Sequence, residues 1–281
     1  MRLTAPLFTL ALVAALAAPA LADEWSRSFP VTAHPGLRVD TNDGRVTLTT
    51  WDRPEIVVHV TTRGWHIGDH FDVSAEQRDG EVFVQGRSRP SFGIGFGVYW
   101  AQIDISLPRQ ADVDIRTGDG SVDLGPLEGH VKVWTGDGHI VARDLKGDLV
   151  LHTGDGGIDA LDLDGRLDAA SSDGHIAVRG RFESLNLESG DGRIVAEAMD
   201  GSALRSAWTL HTGDGGLTLR VPTGLKANLE ASTGDGSISV DMPVQIEAVY
   251  RPSRYLHGTL NGGGPLLRLH SGDGSIRLER L

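Results

Sequence analysis

Aspartate returns in this chain at a fixed interval. Asp119, Asp137, Asp155, Asp173 and Asp191 stand eighteen residues apart, each third in a [Thr/Ser]-x-Asp-Gly tetrapeptide. Carboxylates in register suggest two chemistries. A column of them could hold calcium, and neighbours about 4.8 Å apart repel by roughly 1 kcal/mol in water, which a divalent cation would offset. Calcium takes six to eight oxygens, however, and one carboxylate per repeat is few. Calcium at these five aspartates is therefore the minor reading, and the expected cofactor is none. Two carboxylates at a set separation could instead cleave a glycosidic bond, with one held protonated. Here the acids are the same residue in the same setting, and nothing marks one pair for distinct roles. No G-x-S-x-G, H-E-x-x-H or phosphate-binding loop is present. The expectation is a protein without catalysis; a polysaccharide hydrolase or lyase is the alternative.

The histidines read as surface residues. His139 and His175 each follow a corner two repeats apart, so a separation of about 10 Å is expected, too far to share a metal bound at about 2 Å. His152, His211 and His270 each precede a corner, and His152 and His211 are likewise expected to lie far apart. Two aromatic segments are candidate partner sites. SFGIGFGVYW (Ser91–Trp100) carries Phe92, Phe96, Tyr99 and Trp100; it forms either a sticky loop or a plug for one end of the fold. YRPSRYLHGTLNGGGP (Tyr250–Pro265) carries Arg251, Arg254, Tyr255 and His257 and reads as a long surface excursion.

The elements that position these residues follow from the repeat. The tetrapeptide begins at Thr117, Thr135, Thr153, Ser171 and Ser189, then at Thr212, Thr233 and Ser271, with an outlying copy at Thr41. Five residues on stands an apolar residue (Val122, Ile140, Ile158, Ile176, Ile194), and two further on another (Leu124, Ala142, Ala160, Val178, Ala196). That alternation marks a strand with one buried face. A second strand follows Leu127, Leu145 and Leu163 and their glycines, through pairs such as Leu149 and Leu151. One such unit buries too little apolar area to fold alone, but stacked units share a continuous core. The expected fold is all-β: a parallel β-solenoid of about eighteen residues per coil, with less regular N-terminal coils over 23–116, a repeat region over 117–281 and an insertion near 241–265. At the corners, glycine is expected to supply positive φ and aspartate an Asx-turn. The charged closing coil from Ser271, with Arg277, Glu279 and Arg280, is expected to end the stack.

Composition narrows the partners. A formal charge of −12 excludes nucleic-acid binding through a basic surface and disfavours anionic lipid. The absence of cysteine excludes disulfides and thiolate sites. Residues 1–22, with Arg2, an apolar run and an Ala20-Leu21-Ala22 site, read as a secretory signal, and no later segment reaches spanning length.

RVDTNDGRVTLTTWDRPEIVVHV (Arg38–Val60), IDISLPRQADVDIRTGDGSVDL (Ile103–Leu124), the TGDG corners and GGGPLLRLHSGDGSIRLERL (Gly262–Leu281) together resemble the bacterial β-strand-repeat proteins of the DUF4097 type, proposed adhesins. The resemblance implies an exported β-solenoid of the cell envelope, periplasmic or at the surface, that binds an unidentified protein or polysaccharide. It brings no catalytic motif with it.

Overall fold

The computed structural model describes residues 22–89, 99–249 and 254–281, all as strands, turns and bends, with no helix. The strands are mostly parallel, and the chain winds so that like residues face one another. Leu127 pairs with Leu145, Val131 with Leu149 and Thr135 with Thr153. Ile140 lies between Val122 and Ile158, and Ile158 pairs in turn with Ile176. Ile140, Ile158, Ile176 and Ile194 are all fully buried. Each such side chain stabilises the stack by roughly 1.5–3 kcal/mol. The arrangement is consistent with a solenoid.

Two long sides and one short side enclose the core. One long side carries strands that lead into the corners, such as Asp112–Thr117 and Trp208–Thr212. The other carries strands that leave them, such as Ile140–Arg143 and Leu217–Val221. The short side is formed around buried Leu127, Leu145, Leu163 and Phe182. Its glycines Gly129, Gly147 and Gly165 have positive φ, of 151, 131 and 134°.

Spatial order departs from chain order at both ends. Gly36–Thr41 lies between Glu81–Ser88 and Asp112–Thr117, parallel to both. Leu266–Ser271 lies between Trp208–Thr212 and Ala227–Thr233, and Ile276–Arg280 between Leu217–Val221 and Ile238–Val240. The closing coil is thus interior, contrary to expectation. Its charges are spent laterally, Glu279 on Arg220 and Arg280 on Asp241.

Antiparallel strands cover the outer edges, except at Ile238–Val240, which among the described residues pairs only with the parallel Ile276–Arg280. Asp23–Pro30 runs against Glu55–Arg63, which runs against Trp100–Pro108, and Phe71–Arg78 covers Glu81–Ser88. At the far end Tyr255–Leu260 pairs antiparallel with Ala227–Thr233 and Gln245–Val249. Within the segment expected as a loose excursion, Tyr255–Leu260 is therefore strand. It satisfies backbone groups that would otherwise be left at an open sheet edge.

Candidate binding surface

The corners are built by the hydroxyl and the glycines. Each Thr or Ser is buried. Thr153 Oγ1 accepts from the Gly156 amide at 3.2 Å and donates to the Gly138 carbonyl of the adjoining coil at 2.9 Å. Ser171, Ser189, Thr212 and Ser271 donate in the same way at 2.9, 3.1, 2.9 and 2.9 Å. The hydroxyl thus does the work expected of the aspartate. The second glycine of the tetrapeptide has no positive φ in any copy except Gly44. It is glycine because backbone meets backbone: a Cβ on Gly138, Gly156 or Gly174 would sit 2.0, 2.0 or 1.9 Å from a carbonyl oxygen of the next coil. The expected positive φ survives only at Gly44, and the expected Asx-turn at none of the corners: Asp43 accepts from the next amide, Gly44, at 2.9 Å rather than from one two residues on.

The aspartates are left facing outward. Asp119, Asp137, Asp155, Asp173 and Asp191 are all exposed. Among the described residues no group of three or more His, Asp or Glu side chains is placed to hold a metal ion.

Side chains on the long sides interlock in rows. His139 and His175 do not stand apart. Their rings are 5.7 Å apart at the centroids, and both engage Asp159, at 2.9 and 3.4 Å. The coil between them carries Gly157, and a Cβ there would lie 2.4 Å from His175 Cε1 and 2.9 Å from His139 Cε1. The rings lean into the space that the missing side chain leaves, which the rise per coil does not reveal. His211 stacks on His270 with centroids 5.0 Å apart, because the closing coil slots in beside it. Burial, with the neighbouring His211 charge, pushes the His270 pKa below the ordinary imidazole value. His152 bonds Asp168 at 2.9 Å and meets the edge of Trp134, which is 46% exposed.

The expected partner residues do not form one site. Tyr99 is exposed and stacks on Trp65, next to Trp100 near the N-terminal edge strands. Arg254 is paired with Asp235 at 3.0 Å and sits beside half-buried Tyr255 at the other end of the stack. Phe92, Phe96 and Arg251 lie outside the described residues.

A depression of about 380 Å³ lies between these ends, lined by Arg38, Glu81, Asp112, Asp114, His130 and Asp148. Burial acts to raise Asp112, but the His130 amide at 2.8 Å and the His34 ring at 3.1 Å outweigh it and hold the carboxyl below its ordinary range. Asp23 is lowered as well, by the Ile67 amide and by His66. Glycoside chemistry needs an acid moved the other way.

The family model described as Toastrack DUF4097 matches residues 34–279. No curated protein matches the chain in sequence. Among solved structures, a proposed lipid-binding protein from Parabacteroides distasonis is 15% identical, with a TM-score of 0.49, over 91% of this chain and 96% of that one. A proposed adhesin from Parabacteroides merdae is 10% identical, with a TM-score of 0.47, over 91% and 95%. Another from Bacteroides fragilis is 13% identical, with a TM-score of 0.42, over 92% and 97%.

Proposed function

The chain belongs to the Toastrack DUF4097 family, and from that premise we propose a non-catalytic envelope module that binds an extended surface component, polysaccharide or protein, along its lateral sides. We read the stack as a parallel β-solenoid with eighteen-residue coils in its regular middle. Residues 1–22 serve as a cleaved signal, and the remaining chain acts in the periplasm, in the medium or at the cell surface.

The observation that carries this reading is the disposition of edges and rows. Antiparallel strands cover the N-terminal end of the stack and, at the far end, the Ala227–Thr233 edge, which leaves the sides as the main surface for recognition. There, outward residues such as Lys132, Val150, Asp168 and Asn186 follow one another strand by strand in register. A rigid array of this kind gains affinity from repeated weak contacts, each modest alone.

Residues 23–281 incubated with a panel of envelope polysaccharides test the proposal. Retention without product is the expected result. Release of reducing ends or unsaturated sugars, abolished by one point substitution, would instead establish the hydrolase or lyase.

A further inference from the structure

One row on the outgoing side can be followed through every coil by its backbone bonds. The amides of Val46, Val122, Ile140, Ile158, Ile176, Ile194, Leu217 and Ile276 donate in turn to the carbonyls of Ser121, His139, Gly157, His175, Arg193, Gly216, Ser275 and Ser237. Two glycines fall in this row, with opposite surroundings. Gly157 is roofed by two imidazoles. Gly216 is roofed by nothing: a Cβ there meets only the Ser275 carbonyl, at 3.7 Å, and its φ lies outside the left-handed region. Neither packing nor backbone conformation requires glycine at 216, and its missing side chain opens a depression of about 360 Å³. That volume is within the range of about 300–1,000 Å³ typical of ligand clefts.

The lining is cationic in a protein of net charge −12. Arg193 stands next to Gly216 in the row and Arg277 beside Thr218; both are exposed, and neither guanidinium makes an ion pair or hydrogen bond among the described residues. Elsewhere in the same depression Arg220 is held by Glu197 and Glu279. The corner aspartates Asp191, Asp214 and Asp273 stand two residues before Arg193, Gly216 and Ser275, yet none pairs with either free guanidinium. Thr218 and Ser275 add hydroxyls to the walls beside Val195 and Gly274; Ser275 Oγ accepts from the Ser237 amide at 3.3 Å and keeps a further site for a ligand hydroxyl.

We propose that Arg193 and Arg277, across Gly216, bind the carboxylate of an acidic sugar unit, with Thr218 and Ser275 facing its hydroxyls. Guanidinium presents paired donors that match a planar carboxylate. An anionic bilayer would offer the same charge through phosphate, but the walls carry no aromatic side chain to enter a membrane interface, and the net charge of the protein opposes approach to such a surface. This deepens the lateral-binding reading and relies on it only for the biological setting.

Titration calorimetry of residues 23–281 with oligogalacturonate at low salt tests the site, with neutral oligogalactose as control. The wild type is expected to bind the acidic oligomer alone, with affinity that falls as salt is added. Arg193→Gln/Arg277→Gln together should weaken binding at least about tenfold, the loss expected for charge-assisted bonds. Gly216→Val should do the same by filling the depression, with the melting temperature of the wild type. Equal binding by the wild type and the double arginine variant, or none by the wild type at low salt, overturns the proposal. Sedimentation with phosphatidylglycerol vesicles, but not phosphatidylcholine, that is lost in the double arginine variant would also overturn it, in favour of a lipid. Retention on neutral polysaccharides without oligogalacturonate binding would defeat this site and leave lateral binding standing. Oligogalacturonate binding with nothing retained from the wider panel would leave this site standing and defeat the envelope polysaccharides as its setting.

Discussion

Alanine at Gly138 tests the packing at the corners directly. Its Cβ would stand 2.0 Å from the Gly120 carbonyl oxygen and 2.5 Å from Thr135 Oγ1, more than an ångström inside ordinary contact. Both neighbours are fixed. Gly120 is backbone, and Thr135 Oγ1 is buried while it donates to Gly120 and accepts from the Gly138 amide at 3.0 Å. To fit the methyl, adjoining coils must part or the corner must rotate. Overpacking of this kind costs about 1–3 kcal/mol, and a broken buried hydrogen bond about 1–3 more. A loss of about 3 kcal/mol is expected, or roughly 6–12 °C in melting temperature for a domain of this size. Gly216→Ala is the matched control. Its Cβ meets nothing closer than 3.7 Å, so the substitution should be neutral or stabilise by up to about 1 kcal/mol through the unfolded chain. Thermal and urea unfolding followed by circular dichroism read both. If Gly138→Ala melts within about 2 °C of the wild type, or if the two variants shift alike, close backbone approach is not why glycine occupies the corner.

Thr153→Val keeps the shape but removes the hydroxyl that serves Gly138 and Gly156. It should lose about 1–3 kcal/mol in urea unfolding, whereas Thr153→Ser should stay within about 0.5 kcal/mol, because serine fills this position at Ser171 and Ser189. His270 has a folded pKa below its unfolded value, so its contribution is fully present above the unfolded pKa and is lost as pH falls through the folded one. Unfolding midpoints measured from pH 7 down to pH 5 should therefore fall more steeply for the wild type than for His270→Gln. Thermal unfolding with chelator and with excess calcium should coincide; a rise with calcium would make ligands of Asp119, Asp137, Asp155, Asp173 and Asp191. Trp134→Ala, on an exposed row, should change stability by less than about 0.5 kcal/mol, so any lost retention on a polysaccharide reports contact at that face.

The chain alone determined what repeats. Because inward positions recur at one interval, Ile140, Ile158 and Ile176 had to lie over one another to bury a shared core, and they do. Alternation over Arg45–Thr50 and Glu81–Gln85 marks the strands that run as Arg45–Trp51 and Glu81–Ser88; Asp23–Pro30 was not legible, since DEWSRSFP buries only Phe29 in that strand. The purpose of a glycine could not be read from its identity, because φ, close approach and an open surface all call for the same residue. Gly80 answers to the first, Gly138 to the second and Gly216 to the third. The order of the coils was equally hidden. Every corner bears a hydroxyl, an aspartate and a closing glycine, and every outgoing strand an apolar pair, so the repeat does not say which coil lies beside which. Only the tertiary structure, through the lengths of its connections and the edges that needed covering, placed the coil of Ser271 between those of Thr212 and Thr233. That placement alone set Arg277 across Gly216 from Arg193 and His270 against His211.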